Sequence, residues 1–288
     1  MNNHGLILVT GAAGKTGLAV IHALAQRGAP IRALVRRSDQ VQVAREAGAT
    51  DILTGDLMDQ DLVSKAMEGV SAIYLVFPNV HPNEISLGLS AIKAAKKSSI
   101  KSIVYHSVLF PQIEALPHHW QKLRVEEALI QSGLVFNILQ PASYMQNIKA
   151  SWETVKKTGN YLVPYSINAE FSPIDVNDVA DAACKCLLEA DHAGAIYQLA
   201  GPERLTSVQM AEAMGKAVGR RVQAIQQPLN EWIVHAKAAG LSSYAIDTLT
   251  SMFIYYDKHG FTGSPQTFEW LAGRPPIKFS QYLETLIK

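Results

Sequence analysis

The sequence predicts an α/β fold, a doubly wound parallel sheet with a smaller, mainly helical C-terminal lobe. Three observations predict it. Short apolar runs alternate with segments of helical spacing through the first half of the chain. Those runs are continuously apolar, as strands buried on both faces are, and do not alternate apolar with polar. After Pro141 this rhythm breaks and the pattern becomes mostly helical.

In order, Leu6–Thr10 is an apolar run ending at a Gly-rich turn and predicts a buried strand. Thr16–Arg27 has Leu18, Ile21, Leu24 and Ala25 at helical spacing, with Gly28 as a stop. Ile31–Val35 is a second strand, Asp39–Ala47 a short helix and Asp51–Thr54 a third strand. Asp59–Glu68 is a helix with Asp59 as its N-cap, since a short carboxylate there accepts from free backbone N–H groups. Ser71–Phe77 is a strand stopped by Pro78. Asn83–Lys97 is a helix with Ile85, Leu89 and Ile92 on one face. Ser102–Ser107, the helix His118–Gln131 and the strand Leu134–Leu139 complete this half. Beyond it, Tyr144–Lys157 is helical, Gly159-Asn160 turns into Tyr161–Pro164, and Phe171–Ile174 and Ile196–Leu199 are late strands around the helix Val176–Ala190. Ser207–Val218 is a helix capped by Thr206. Leu229–Tyr256 is mostly helical, and a turn at Leu271–Pro276 precedes a last amphipathic segment.

Composition excludes several classes of function. The chain has 288 residues, 48% hydrophobic and 18% charged, with a formal net charge of +1. That is too apolar and too neutral for disorder, and it offers no overall attraction for nucleic acid or anionic lipid. Two cysteines make no disulfide framework. The start, Met1-Asn2-Asn3-His4-Gly5, lacks a basic n-region, and no apolar stretch is long enough to span a bilayer. The chain reads as cytoplasmic, without membrane or direct nucleic-acid partners, acting on a small molecule as a monomer or a homodimer. The charge is uneven, however. The first 38 residues carry Lys15, Arg27, Arg32, Arg36 and Arg37, and no acid precedes Asp39.

Gly11-Ala12-Ala13-Gly14-Lys15-Thr16-Gly17 follows a strand and opens a helix, a Gly-x-x-Gly-x-x-Gly pattern in the context of a dinucleotide fingerprint. Glycine permits the tight turn and close approach of backbone to a pyrophosphate at the positive end of the helix. An ATP phosphate loop ending in Gly14-Lys15-Thr16 needs glycine where Val9 stands, so that reading fails. The second strand selects the dinucleotide. A carboxylate at its end would hold the ribose 2′-hydroxyl of NAD, but Val35 is followed by Arg36 and Arg37. Guanidinium forks suit a 2′-phosphate, so NADP(H) is the expected cofactor. Asp56, after the third strand, reads either as an acceptor for the adenine amino group or as a turn residue before Asp59.

With Lys122–Pro141 (KLRVEEALIQSGLVFNILQP), Ser172–Ala180 (SPIDVNDVA), Leu199–Leu205 (LAGPERL) and Leu271–Phe279 (LAGRPPIKF), the chain resembles the NmrA-like family of atypical short-chain dehydrogenases/reductases over nearly its whole length. The resemblance implies a Rossmann domain binding NADP(H), over 1–142 with 171–200 returning to it, and a substrate-binding lobe from 143–170 and 201–288. It places the pyrophosphate on Gly11, Ala13, Gly14, Lys15, Thr16 and Gly17, the 2′-phosphate on Arg36, and the adenine near Asp56 and Leu57. Phe77 and Pro78 border the nicotinamide-side ribose, Lys122 hydrogen-bonds it, and Pro141 and Tyr144 lie beside the nicotinamide.

Short-chain dehydrogenases/reductases use a Tyr-x-x-x-Lys pair on one helix face, in which the lysine acidifies the phenol. None of the ten tyrosines here has lysine four residues on. Lys122 is retained and His118 takes the tyrosine position, while Ser107 stands where the family's serine polarises a carbonyl. His118 then acts either as proton donor or substrate contact, or as a helix-start residue facing solvent. His119 points about 100° away. Tyr144 is an alternative acid or an aromatic lid, and Trp232, Tyr244 and Phe253 are pocket or core aromatics. Cys184 and Cys186 diverge too far on a helix to share a metal, and no metal site is expected. The expected activity is NADPH-dependent reduction of a small aromatic or conjugated carbonyl, quinone or imine-type substrate. The alternatives are a non-catalytic NADP(H)-binding redox sensor or co-regulator and, third, an epimerase or dehydratase using tightly held cofactor.

Overall fold

The computed structural model describes residues 4–287. Met1–Asn3 of the N-terminal start, and Lys288 at the end of the lobe expected over 201–288, lie outside the described residues. In chain order the first elements are β1 (Ile7–Val9), α1 (Lys15–Gln26), β2 (Ile31–Val35), α2 (Val41–Glu46), β3 (Asp51–Thr54), α3 (Gln60–Ala66) and β4 (Ala72–Leu75). Then come α4 (Glu84–Lys96), β5 (Ser102–His106), α5 (Pro117–Ile130) and β6 (Phe136–Pro141). The later elements are α6 (Lys149–Thr158), β7 (Asn160–Val163), β8 (Glu170–Phe171), α7 (Val176–Leu188), β9 (Ile196–Leu199) and β10 (Leu205–Thr206). The last are α8 (Ser207–Val218), β11 (Gln223–Gln226), α9 (Leu229–Ala238), α10 (Ser243–His259), α11 (Gln266–Ala272) and α12 (Phe279–Ile287).

Seven strands form one sheet in the order β3-β2-β1-β4-β5-β6-β9. Every pair from β3 to β6 is parallel. This is the Rossmann-like architecture that the apolar runs predict. β1 and β4 are buried along their whole length, because helices cover both faces of the sheet. The chain winds outward from β1 in both directions, so the order reverses between β1 and β4. Ligands of such sheets bind at that switch point, beyond the carboxyl ends of the strands.

By its contacts the chain forms two compact units. One holds residues up to Gln112 together with His119–Gln140 and Val176–Tyr197; the other holds Ile113–His118, Pro141–Asp175 and the chain from Gln198 on. In the first unit α1 packs on α7, and a core of Leu8, Leu34, Ile73, Leu75, Ile103 and Ile138 fills the space at the sheet. In the second, β11 runs parallel to β7, β10 pairs antiparallel with β8, and α12 packs on α8.

Local signals act where the sequence places them. The Asp59 carboxylate accepts from Asp61 N and Leu62 N at the start of α3. Thr206 and Gln209 cap α8 reciprocally, through Gln209 N to Thr206 Oγ1 at 3.2 Å and Thr206 N to Gln209 Oε1 at 2.8 Å.

Three expectations are corrected. The buried face of α4 is Glu84, Leu87, Gly88, Ala91, Ile92 and Ala95, and Leu89 is 49% exposed. The reason is close packing: a Cβ on Gly88 would lie 2.6 Å from the methyls of Val125, so α4 turns its small residues toward α5. The segment after Tyr144 opens with a 3-10 turn, Met145–Ile148, before α6. The strand expected over Phe171–Ile174 is reduced to β8 and an isolated bridge between Tyr144 and Ile174. β10, β11 and α11 were not expected: they are short, and the Gln-Ala-Ile-Gln run of β11 carries no apolar pattern. Among the described residues no helix is long and apolar enough to cross a membrane, and no three His, Cys, Asp or Glu side chains cluster as a metal site.

Candidate active site

The β1–α1 turn has the geometry that a dinucleotide phosphate needs. Gly11 has φ +53°, and a Cβ there would lie 3.0 Å from the Val76 carbonyl oxygen. At Gly17 an added Cβ would lie 2.4 Å from Gly11 O, so α1 seats directly on the turn. Gly14 is the N-cap of α1 and gives no side-chain hydrogen bond; the first turn of the helix holds no acid. The first turn of α1 thus brings no carboxylate of its own to the positive helix end. Ala13, Gly14 and Lys15 are partly or fully exposed there, and Thr16 and Gly17 are buried. Thr10, just after β1, pins the switch point. Its Oγ1 donates to Val76 O at 2.8 Å and accepts from Val76 N at 2.8 Å.

At the end of β2, Gln40 Oε1 accepts from both Arg36 N and Arg37 N at 3.1 Å and shapes the turn. The two guanidiniums differ. Arg37 Nε is 3.0 Å from Asp39 Oδ1 and tied to it. Arg36 is 72% exposed, and its partner is Asp56 Oδ2 at a looser 3.7 Å. Asp56 also holds a turn, since its Oδ1 accepts from Met58 N at 2.9 Å. Leu57 packs partly buried against the core. These residues fit NADP(H): a glycine-rich turn at the positive end of α1 for the pyrophosphate and an exposed guanidinium where an NAD site has a carboxylate.

Behind β5 lies a buried polar cluster of which the sequence showed one half. Lys122 Nζ is 2.8 Å from Glu84 Oε1 and donates to His106 O at 3.1 Å. Tyr105 OH donates to the same Glu84 Oε1 at 2.9 Å. The Glu84 side chain is 0% exposed and that of Lys122 6%. Burial and the Glu84 carboxylate push the Tyr105 phenol well above its ordinary range. Glu126, also buried, takes Gln140 Nε2 at 3.0 Å on both oxygens. Burial raises its carboxyl, opposed by the Ser107 hydroxyl, the Gln140 amide and the Lys122 cation. Ser107, buried at the end of β5, thus lies beside Glu126. His106 Nδ1 is 2.6 Å from Tyr74 OH, and burial and the Lys122 cation lower its imidazole to about 3. Phe77 is buried against Tyr105, ring centroids 6.2 Å apart, and Pro78 is exposed. Val80 and Phe110, in the loops after β4 and β5, hold positive φ of 51° and 54°, uncommon for such side chains and concentrated at the carboxyl edge of the sheet.

Glu84 is the functional candidate that sequence reasoning missed. An acid in the first turn of a helix reads as a dipole partner, and nothing local shows that its partners lie 21 and 38 residues away.

The solvent-facing reading of His118 is corrected, because it is buried. His119 is buried as well, with Nδ1 3.2 Å from Phe110 O, and burial lowers its imidazole to about 4. In the second unit Pro141 is buried at the end of β6, and Tyr144 is half-buried, extended at φ −84° and ψ 139°. Trp232 meets Phe253 edge-on at 4.8 Å, and Phe253 lines an open cleft of about 480 Å³ with Pro164, Leu229 and Asp257. Tyr244 is half-buried near the start of α10. Cys184 and Cys186 are free, and burial pushes both thiols up to about 12.

The profile of the NmrA-like family matches residues 3–283. The chain belongs to that family. This NmrA-like chain is 26% identical over 284 residues to an NAD(P)H azoreductase of Xenophilus azovorans, covering 96% of both chains. It is 26% identical over 283 residues to quinone oxidoreductase 2 of Escherichia coli (strain K12), covering 98% of both. The crystal structure of the NADPH-dependent quinone oxidoreductase from Escherichia coli complexed with NADPH superimposes with a TM-score of 0.85 at 26% identity, over 98% of this chain and 100% of that one.

Proposed function

We propose that this chain is an NADPH-dependent oxidoreductase that reduces a small aromatic or conjugated substrate of quinone, conjugated carbonyl or imine type. The observation that carries the reading is the pairing of an α1 N-terminus that opens at Gly14 with no acid in its first turn and Arg36, in place of an acid, at the end of β2. The azoreductase and quinone oxidoreductase among its relatives support the reductase class. Bound NADPH supplies a hydride. The chain's own residues bind and orient: the Gly11–Gly17 turn takes the pyrophosphate, Arg36 the 2′-phosphate, and Asp56 and Leu57 flank the adenine. Phe77 and Pro78 border the nicotinamide-side ribose. Lys122, with two of its three ammonium protons given to Glu84 and His106 O, keeps one for that ribose. Pro141 and Tyr144 lie beside the nicotinamide. His118 is the first choice of proton donor or substrate contact and Tyr144 the second. Ser107 is assigned the carbonyl. The first unit serves the dinucleotide, and the second, with Trp232 and Phe253, the substrate.

NADPH oxidation followed across quinones, enones, imine-type dyes and aldehydes tests the activity. Turnover with at least one conjugated acceptor is expected. Tight NADPH binding with no acceptor reduced would replace the reductase by a dinucleotide sensor. Arg36→Ala is expected to weaken NADPH at least tenfold and NADH less than twofold; equal losses would sink the 2′-phosphate assignment.

A further inference from the structure

We infer that Glu84 is a positioning residue: its buried carboxylate, tied to Lys122 Nζ at 2.8 Å and to Tyr105 OH at 2.9 Å, aims the lysine. This rests on the reading above, in which Lys122 meets the nicotinamide-side ribose. Three observations lead to it. Glu84 is fully buried, yet its Oε2 has no hydrogen-bond partner among the described residues, so the carboxylate is held entirely through Oε1. Of the two donors to that oxygen, Tyr105 lies in β5 near its carboxyl end and Lys122 on α5, where Lys122 also grips the carbonyl of the last strand residue, His106. And Glu84 opens α4, whose positive end favours a carboxylate.

The consequence is chemical. In a Tyr-x-x-x-Lys pair the cation acidifies a phenol. Here the spacing offers histidine instead, and a nearby cation opposes protonation of an imidazole. Pairing the lysine with Glu84 opposes that field at its source, although the cation still lowers His106 and His119. Lys122 is thereby held to orient a hydroxyl by hydrogen bonding. The titratable groups facing the ammonium are Glu84 from α4, Tyr105 and His106 from β5, and Glu126 and His119 from its own helix, with Tyr74 of β4 behind His106. Burial raises the Glu126 carboxyl, opposed by Lys122, while Glu84 Oε1 makes the direct contact with the ammonium at 2.8 Å.

The test compares Glu84→Gln, Lys122→Met and the double variant in the full chain. The readouts are thermal melting without ligand, the NADPH dissociation constant, and kcat/KM for the fastest acceptor from pH 6 to 9. A buried ammonium without its carboxylate is driven toward the neutral form, more so as pH rises. Glu84→Gln is therefore expected to lose kcat/KM relative to wild type by at least fivefold more at pH 9 than at pH 7. The double variant is expected to regain melting temperature over Glu84→Gln. In the Lys122→Met background the Glu84→Gln change is expected to alter NADPH affinity and kcat/KM less than twofold, because Glu84 acts through the lysine. If Glu84→Gln does not fold, this last comparison still decides: a further loss of fivefold or more in the double variant overturns the inference. A Glu84→Gln profile parallel to wild type overturns it too, while leaving the lysine assignment intact if Lys122→Met is impaired. If Lys122→Met binds NADPH and turns over like wild type, the lysine assignment itself fails and this inference with it.

Discussion

The β1–α1 turn and the cluster behind β5 solve opposite problems. At the turn, positive potential comes from backbone: Gly14 caps α1 without a side-chain bond, and no acid stands in its first turn. The partial charge is fixed by the helix and needs no counter-ion of its own. Behind β5, a whole charge sits on a long side chain, Lys122, and is taken out of water beside Glu84, Tyr105 and Glu126. Such a charge persists through its partners. The difference teaches where each site is fragile. The turn fails when an atom is added, and the cluster fails when a charge is removed.

The largest effect is expected from removing a partner in the cluster. Glu84→Ala leaves a buried ammonium uncompensated and should cost about 3–5 kcal/mol of stability, read by urea unfolding at pH 7. A loss below about 1 kcal/mol would mean that the ion pair is replaced at once by water. Next comes acid. His106 and His119 are lowered to about 3 and about 4 in the folded chain, against 6.5 unfolded. The unfolded chain therefore binds more protons below the unfolded value, and the stability these histidines contribute is present above it and is lost as pH falls toward the folded values. From pH 7 to pH 5 each should cost roughly 2 kcal/mol. His106→Gln should remove its share of that slope; an unchanged slope would place the titration elsewhere.

The two regions also differ in how they announce themselves. Gly11, Gly14 and Gly17 are legible because backbone geometry restricts residue type at fixed spacing, and Arg36 because an absent acid is as visible as a present one. The sheet was legible for the same reason: strands such as Ile31–Val35 and Ala72–Leu75 carry their burial in a local pattern. Glu84 was not legible, because its role depends on α4 passing close to α5 at Gly88, a tertiary fact. Lys122 was found through family resemblance, while the carboxylate that holds it was not. The same close approach misled the reading of α4. The apolar stripe Ile85, Leu89, Ile92 was sound as periodicity, but small residues won the inner face.

A smaller effect is expected when the turn is broken by addition. In Gly17→Ala the new Cβ meets Gly11 O at 2.4 Å and Ala12 Cα at 2.8 Å, both backbone, so α1 or the turn must move. Overpacking of this kind costs about 1–3 kcal/mol. NADPH affinity should fall at least tenfold, since the proposed function seats the pyrophosphate on the displaced turn. If stability falls and affinity does not, the pyrophosphate is held elsewhere, and the contrast between backbone-held and side-chain-held charge loses its first half.

The smallest effect sharpens the second half. Glu84 reaches Lys122 only if α4 is rotated to put Leu87, Gly88 and Ala91 inward and Leu89, 49% exposed, outward. Under that rotation Leu87→Ala removes a buried side chain and should cost about 2–5 kcal/mol. Leu89→Ala, on the wet side of the same helix, should stay within about 0.5 kcal/mol and leave NADPH affinity unchanged. The rotation implied by the sequence stripe makes the opposite forecast, with Leu89 costly and Glu84 turned away from the lysine. Urea unfolding of the two variants therefore tests the geometry of the ion pair without touching either of its charges. A Leu89→Ala loss as large as that of Leu87→Ala would undo the placement of Glu84 on which the cluster depends.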